Sequence, residues 1–215
     1  MRIQTLIGFC LVALLLNLAC EEEIPTESVQ SPIDPASFLA LNLSDETKFV
    51  RDYEYQSDIL VKNQRDQSAY KKEYSYKEFE EIYQNAEYLA DQSLKSIMVD
   101  DDLYYYSIYE ILHRASDLVY GKVTKVEPKW GSDDDADLIF THTTVEIYKS
   151  MNGCVEKSPI EIIDLGGALD GFTSGSWSMP PPDYQAGELV FIPLQIENSQ
   201  IRTFASRQGK FTIIK

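Results

Sequence analysis

The stretch "LIFTHTTVEIYKS", residues 138–150, alternates in type along its length. Ile139, Thr141, Thr143, Val145 and Ile147 fall on one side, and Phe140, His142, Thr144, Glu146 and Tyr148 on the other. A period of two sends successive side chains to opposite faces of a strand. Most of these residues are β-branched or aromatic, the types that suit a pleated, half-buried surface. Similar short runs surround it: "LVYGKVTKV" before it, and "IEIIDL", "ELVFIPL", "IRTFAS" and "KFTIIK" after it, separated by Gly, Pro, Asn and Asp. Five or six short strands without intervening helices predict a small antiparallel β-barrel over residues 116–215.

Upstream the period changes. Residues 44–115 are expected to be helical, which makes the fold class α+β, an N-terminal helical segment followed by the barrel. Ser75 with Glu78 three residues later has the form of a capping box. Behind it Phe79, Ile82, Tyr83, Ala86, Ala90, Leu94 and Ile97 recur at three- and four-residue steps. A second helix is expected in "LYYYSIYEILHRAS", with Tyr105, Ile108, Leu112 and Ala115 on one side, and an earlier one around residues 45–60. Eleven of the fourteen tyrosines lie between Tyr53 and Tyr109. Aromatics at helical spacing usually serve packing, although tyrosine also suits recognition surfaces.

The longest connection, residues 166–187, reads "GGALDGFTSGSWSMPPPDYQAG". Loops of more than about 12–15 residues are uncommon in compact domains and are often functional. This one carries Phe172, Trp177 and Tyr184, which form a candidate surface for a ligand or partner. The alternative is that these three rings fold back and plug the barrel end.

The N-terminus carries Arg2 and then the apolar run Leu6–Ala19. That run is too short for a spanning helix, which needs about 20 residues, and fits a secretory signal over residues 1–19. "LNLAC" resembles the bacterial lipobox, whose cysteine receives diacylglycerol, with Asn17 where the pattern prefers Leu. The resemblance implies a lipidated (palmitate-bearing) Cys20, anchored by more than one chain as stable attachment requires. An ordinary signal cut near Ala19 is the alternative. Residues 20–43, rich in Pro, Ser and acids, are expected to be a flexible tether. "EEE" at 21–23 resembles the acidic surface-export signal that follows the lipidated cysteine in some Gram-negative lipoproteins. That resemblance implies a position on the outer membrane, facing out of the cell.

Composition excludes several function classes. The formal net charge is −16, and losing the signal removes only Arg2 among charged residues. Such a chain repels phosphate backbones, so nucleic acid is not an expected partner. With Cys20 acylated, Cys154 alone remains after signal removal, so no intramolecular disulfide is available.

The β half also carries a resemblance. "ASDLVYGKVTKVE", "FTHTTVEIYKSMNG", "GGALDG", "AGELVFIPL" and "RQGKFTI" occur in this order over about residues 115–215. They resemble the blocks of a domain of bacterial exported proteins often found beside matrixin-like metallopeptidase domains. The resemblance implies an OB-like fold, related in outline to netrin-type modules, and no catalysis by the domain itself.

No catalytic constellation emerges from the sequence. There is no "HExxH" or "GxSxG", and His113 and His142 are the only histidines. Cys154 has no activating base beside it. Asp133, Asp135 and Asp137 occupy the first, third and fifth places of an EF-hand loop, a weak calcium candidate. The sixth place holds Leu138 rather than Gly and the twelfth Thr144 rather than Glu, so a charged hairpin loop fits better. No cofactor and no resident metal are expected. The expected function is that of a non-enzymatic envelope lipoprotein, held to the membrane by its lipid and binding a protein or a glycan. A peptidase-inhibitor-like module and an undetected hydrolase are the alternatives.

Overall fold

The structure is a computed structural model and describes residues 35–51, 71–90, 97–98, 104–132, 135–174 and 181–215, all within the unit Ser31–Lys215. Its elements in chain order are α1 (Pro35–Leu39), β1 (Lys48–Arg51), β2 (Lys72–Ser75), α2 (Tyr76–Gln84), α3 (Ala86–Ala90), β3 (Ile97–Met98), β4 (Tyr104–Tyr105) and α4 (Ile108–Arg114). The β half follows as β5 (Asp117–Trp130), β6 (Ile139–Ser150), β7 (Ile160–Leu165), β8 (Gly167–Leu169), β9 (Phe172–Ser174), β10 (Leu189–Glu197), β11 (Gln200–Thr203), a 3₁₀ turn (Ser206–Gly209) and β12 (Phe211–Ile214).

The alternation in residues 138–150 is realised in β6, where Ile139, Thr141, Thr143 and Val145 are buried. The expected strands from Leu118 onward all form. Eight antiparallel strands make one sheet in the order β2-β1-β12-β10-β5-β6-β7, with β11 added on β10. The closed barrel is not formed. β11 packs against β7, but no ladder joins them, and the sheet stays open at that seam. The Asp164 side chain spans the seam, accepting from the Thr203 backbone N–H at 2.9 Å and from its hydroxyl at 2.8 Å. A carboxylate thus takes a donor that a neighbouring strand would otherwise use.

Two cores lie on the two faces of the sheet. In β10, Phe191 points to one face while Val190, Ile192 and Leu194 point to the other, so the strand is buried on both sides. That explains why "LVFIPL" reads as a continuous apolar run. The inner face of the curled half gathers Val119, Val123, Val145, Ile160, Ile162 and Tyr184. The opposite face, with Phe191, Phe211 and Ile213, packs Phe38, Phe49, Phe79, Tyr76 and Tyr83 into an aromatic core. Phe49 and Phe79 stack at 4.0 Å with only 6° between their planes.

The expectation of a separate helical segment over 44–115 is corrected in part. α2 starts at the expected capping box, with Glu78 N–H on Ser75 Oγ at 3.3 Å and Ser75 N–H on Glu78 Oε2 at 2.8 Å. α4 has a second box, built from Ser107 and Glu110. Between them lie α3 and the short strands β3 and β4, where Ile97 and Tyr105 of the expected helical stripes stand, and before them β1 and β2. Lys48–Arg51, expected within a helix around 45–60, is strand β1, and residues 52–60 lie outside the described residues. β1 pairs with β12, Lys48 opposite Ile214 and Arg51 opposite Phe211, and with β2 on its other side. The two expected segments therefore share one sheet. The physical reason is that Phe49 and Val50 bury on the two faces of a strand, whereas an isolated helix of that length gains little.

The expected tether over 20–43 also ends earlier than its boundary. Its last part forms α1, with Phe38 fully buried against Tyr83 at 5.0 Å and Tyr76 at 5.5 Å. The tyrosines follow the packing expectation at Tyr74, Tyr76 and Tyr83, which are buried, while Tyr88 is exposed.

Candidate functional site

The expected 166–187 loop is not one loose connection. Asp170 and Gly171, both at positive φ (53° and 83°), make a two-residue turn that closes the hairpin β8–β9, with Leu169 opposite Phe172. Asp-Gly is a favoured pair for this turn because its twist matches that of the strands it joins. The hairpin is fastened to the start of β6 at Ile139. Ser174 Oγ lies 2.6 Å from Ile139 N and 3.1 Å from Ile139 O, and Gly166 N–H donates to Ile139 O at 2.8 Å. Thr141 Oγ1 donates to Gly166 O at 2.7 Å. A side chain is crowded at Gly167, where φ is 148° and a Cβ would sit 2.9 Å from Thr141 Oγ1.

Ile139 is also the register partner of Trp130, the last residue of β5. Trp130 and Phe172 are thus both held on backbone tied to one residue. Their rings meet edge to face, 5.7 Å between centroids. Trp130 is 40% exposed and Phe172 63%, so two large rings stand in solvent at the sheet's end. A preordered pair of exposed aromatics is a recognition feature, since little conformational freedom is lost on binding.

The loop that continues from Trp130 is tight. Gly131 N–H donates to Leu138 O at 2.8 Å and Leu138 N–H to Asp135 O at 2.9 Å. Asp135 and Asp137 are exposed on it, and Asp170 is exposed at the hairpin tip. Among the described residues no group of three or more His, Cys, Asp or Glu comes together to hold a metal; Asp133, of the calcium candidate, lies outside them. The neighbouring outer face of β5–β7 carries a compensated ladder. Lys129 lies 3.3 Å from Glu127 and 3.7 Å from Glu161, and His142 Nδ1 is 3.0 Å from Glu161. Hydrogen bonds from Lys125 and Lys129 hold the Glu127 carboxyl below its usual range.

The three aromatics expected to act together do not. Phe172 is on the exposed rim. Tyr184 is 3% exposed, inside the curled half, with its hydroxyl 2.8 Å from Thr203 Oγ1. Because Thr203 donates its one proton to Asp164, Tyr184 donates to Thr203. Burial pushes the Tyr184 hydroxyl well above its ordinary value, with Asp164 and Glu188 adding to that. Tyr184 is therefore a structural residue, and Trp177, like Cys20, lies outside the described residues. Trp130 was not singled out by the sequence reading. Its signal was an aromatic at a strand end directly before Gly131, facing an Asp-Gly turn.

The acidic and glycine-led blocks quoted above meet in space as fold supports. Glu188 of "AGELV" and Lys210 of "RQGKF" pair at 2.9 Å, with Lys210 only 2% exposed. Lys210 Nζ also donates to Asp183 O and lies 5.3 Å from the centre of the Tyr184 ring. Asp117 of "ASDLV" accepts from Ser150 Oγ at 2.6 Å, Asn152 N at 3.0 Å and Val155 N at 2.9 Å, closing the turn at "MNG". These buried groups fix the loops that bear them. Comparison of the chain with protein-family models, with curated proteins and with solved structures found no match in any of the three.

Proposed function

We propose that this protein is a non-enzymatic lipoprotein of the cell envelope, tethered through Cys20, that binds a protein or glycan partner at the Trp130–Phe172 rim. The exposed, preordered ring pair is the observation that carries the binding reading. Inside the sheet Asp164, Thr203 and Tyr184 are occupied with one another, as are Glu188 and Lys210, which supports a scaffold rather than a reaction centre. No helix among the described residues is long and apolar enough to cross a membrane. The tether reading rests on "LNLAC" and the short apolar run before it. An outer-membrane, outward-facing position rests on Glu21–Glu23.

Two measurements test the two halves. Palmitate labelling and detergent partition are expected for the parent chain and lost in Cys20→Ser; labelling that survives the substitution removes the anchor assignment. Glycan and peptide arrays probed with the parent chain and with Trp130→Ala/Phe172→Ala test the rim. Retention that is equal for the two proteins on every ligand removes the binding site.

A further inference from the structure

The electrostatics around the ring pair narrow the ligand. Asp135 and Asp137 follow Trp130 on the β5–β6 loop, and Asp170 stands two residues before Phe172. All three are exposed, and among the described residues none forms an ion pair. The closest basic residue in sequence, Lys129, is engaged by Glu127 and Glu161. The rim therefore presents aromatic π faces, which attract cations, beside carboxylates with no counter-charge. The whole chain adds a field of the same sign, with a net charge of −16 that draws cations in and repels anionic polymers.

We propose that the Trp130–Phe172 rim takes a basic segment of a partner protein, with a Lys or Arg side chain against the rings and further cations on Asp135, Asp137 and Asp170. This rests on the binding reading above and supplies its ligand class. Charge complementarity argues for that occupant. A neutral glycan can donate its hydroxyls to the three carboxylates but leaves their charge uncompensated, and a phosphate- or uronate-bearing polymer is repelled by them. A cation–π contact strengthens as the cation is desolvated, and the carboxylates add salt-sensitive attraction.

The test is fluorescence anisotropy with the detergent-solubilised full chain. The probes are a short labelled peptide alternating Lys or Arg with Ser, its twin with acetyl-lysine and citrulline, and a labelled neutral β-linked oligosaccharide. The basic peptide is expected to bind at least about tenfold tighter than its neutral twin. Trp130→Ala/Phe172→Ala and, separately, Asp135→Asn/Asp137→Asn/Asp170→Asn are each expected to weaken it about tenfold. Glu46→Gln/Glu81→Gln/Glu87→Gln, which removes as many exposed acids elsewhere, is expected to leave binding within about twofold. Equal binding of the neutral twin, or an equal loss from the distant acids, overturns the proposal as mere attraction to an acidic protein. Oligosaccharide binding that depends on the two rings, without peptide binding, overturns the ligand class and leaves the rim as a binding site. Should neither probe depend on the rings, both readings fall.

Discussion

Asp164 on β7 and Thr203 on β11 are joined by two hydrogen bonds, 2.9 Å from the backbone N–H and 2.8 Å from the hydroxyl, across a seam that no strand ladder closes. The sheet curls far enough to bring these strands together, yet one side chain carries the polar connection. Burial pushes the Asp164 carboxyl up to about 6, and the two bonds from Thr203 pull in the opposite direction.

This sets a pH dependence with a definite sign. Folded Asp164 keeps its proton to about pH 6, whereas an unfolded aspartate releases it near about 3.9. Between those values the native state binds more protons, so stability falls as pH rises through the window and then levels off. The size is about 3 kcal/mol, at about 1.4 kcal/mol per pH unit. Asp164→Asn is expected to fold, because its amide can donate to Thr203 Oγ1 while that hydroxyl turns to donate to Tyr184. Urea unfolding from pH 4 to pH 8 is the check. The parent-minus-variant difference should change through the window, and a flat difference overturns the assignment.

Phe38 decides where the tether ends. Its ring is fully buried and meets Phe49, Tyr76, Phe79, Tyr83 and Phe191 with centroids 5.0 to 6.4 Å away. Phe38→Ala is expected to cost about 3–5 kcal/mol in unfolding free energy, as for other buried phenylalanines. Glu46→Gln, exposed beyond α1, should change it by less than about 0.5 kcal/mol. A neutral Phe38→Ala restores the tether to residue 43.

Lys210 and Glu188 form the most enclosed ion pair among the described residues. Lys210→Met leaves Glu188 facing the interior without its cation and is expected to cost about 3–5 kcal/mol. Glu188 keeps bonds from Gln185 N at 2.7 Å and Thr212 Oγ1 at 3.3 Å, which hold it in place after the loss. Lys210→Met/Glu188→Gln should therefore cost clearly less than the sum of the single changes. A double-mutant cycle by chemical unfolding measures the coupling, and simple additivity rules out the pair as a unit.

The parts of the fold legible in sequence were those governed by local pattern. The strand at 138–150 and the run "IEIIDL" form within a residue of their expected limits because a half-buried strand must alternate, or stay apolar when covered on both faces. The Ser75 box was legible for the same reason, and the Ser107 box, equally local, was found only in the structure. β1 was missed because "KFVR" is four residues long and its partner, β12, lies at the far end of the chain. Tyr184 illustrates the limit at the site. An aromatic in a Gly- and Pro-rich loop reads either as a surface residue or as a plug of the barrel end, and only its hydroxyl partner, Thr203, 19 positions away, decides for burial. Trp130 and Phe172 are 42 residues apart in sequence and meet where Trp130 pairs with Ile139 and Ser174, two residues after Phe172, bonds to that same residue.

That dependence gives the last prediction. Gly167 holds β8 against β6, with φ at 148° and space for a Cβ only by displacing Thr141 Oγ1, 2.9 Å away, and Ile139 Cγ2, 3.2 Å away. Gly167→Ala is expected to shift the hairpin away from these two side chains, and Phe172 with it. Gly171→Ala is the control, since its φ of 83° carries strain but nothing lies within 4 Å of the added methyl. Each is expected to lose about 1–3 kcal/mol of stability, from backbone strain alone at Gly171 and from strain plus crowding at Gly167. They should differ in fluorescence, measured in a Trp177→Phe background that leaves Trp130 as the sole reporter. Gly167→Ala should alter Trp130 emission because the ring 5.7 Å away is displaced, while Gly171→Ala leaves it unchanged. Identical spectra for the two variants mean that the rim is not positioned through Ile139.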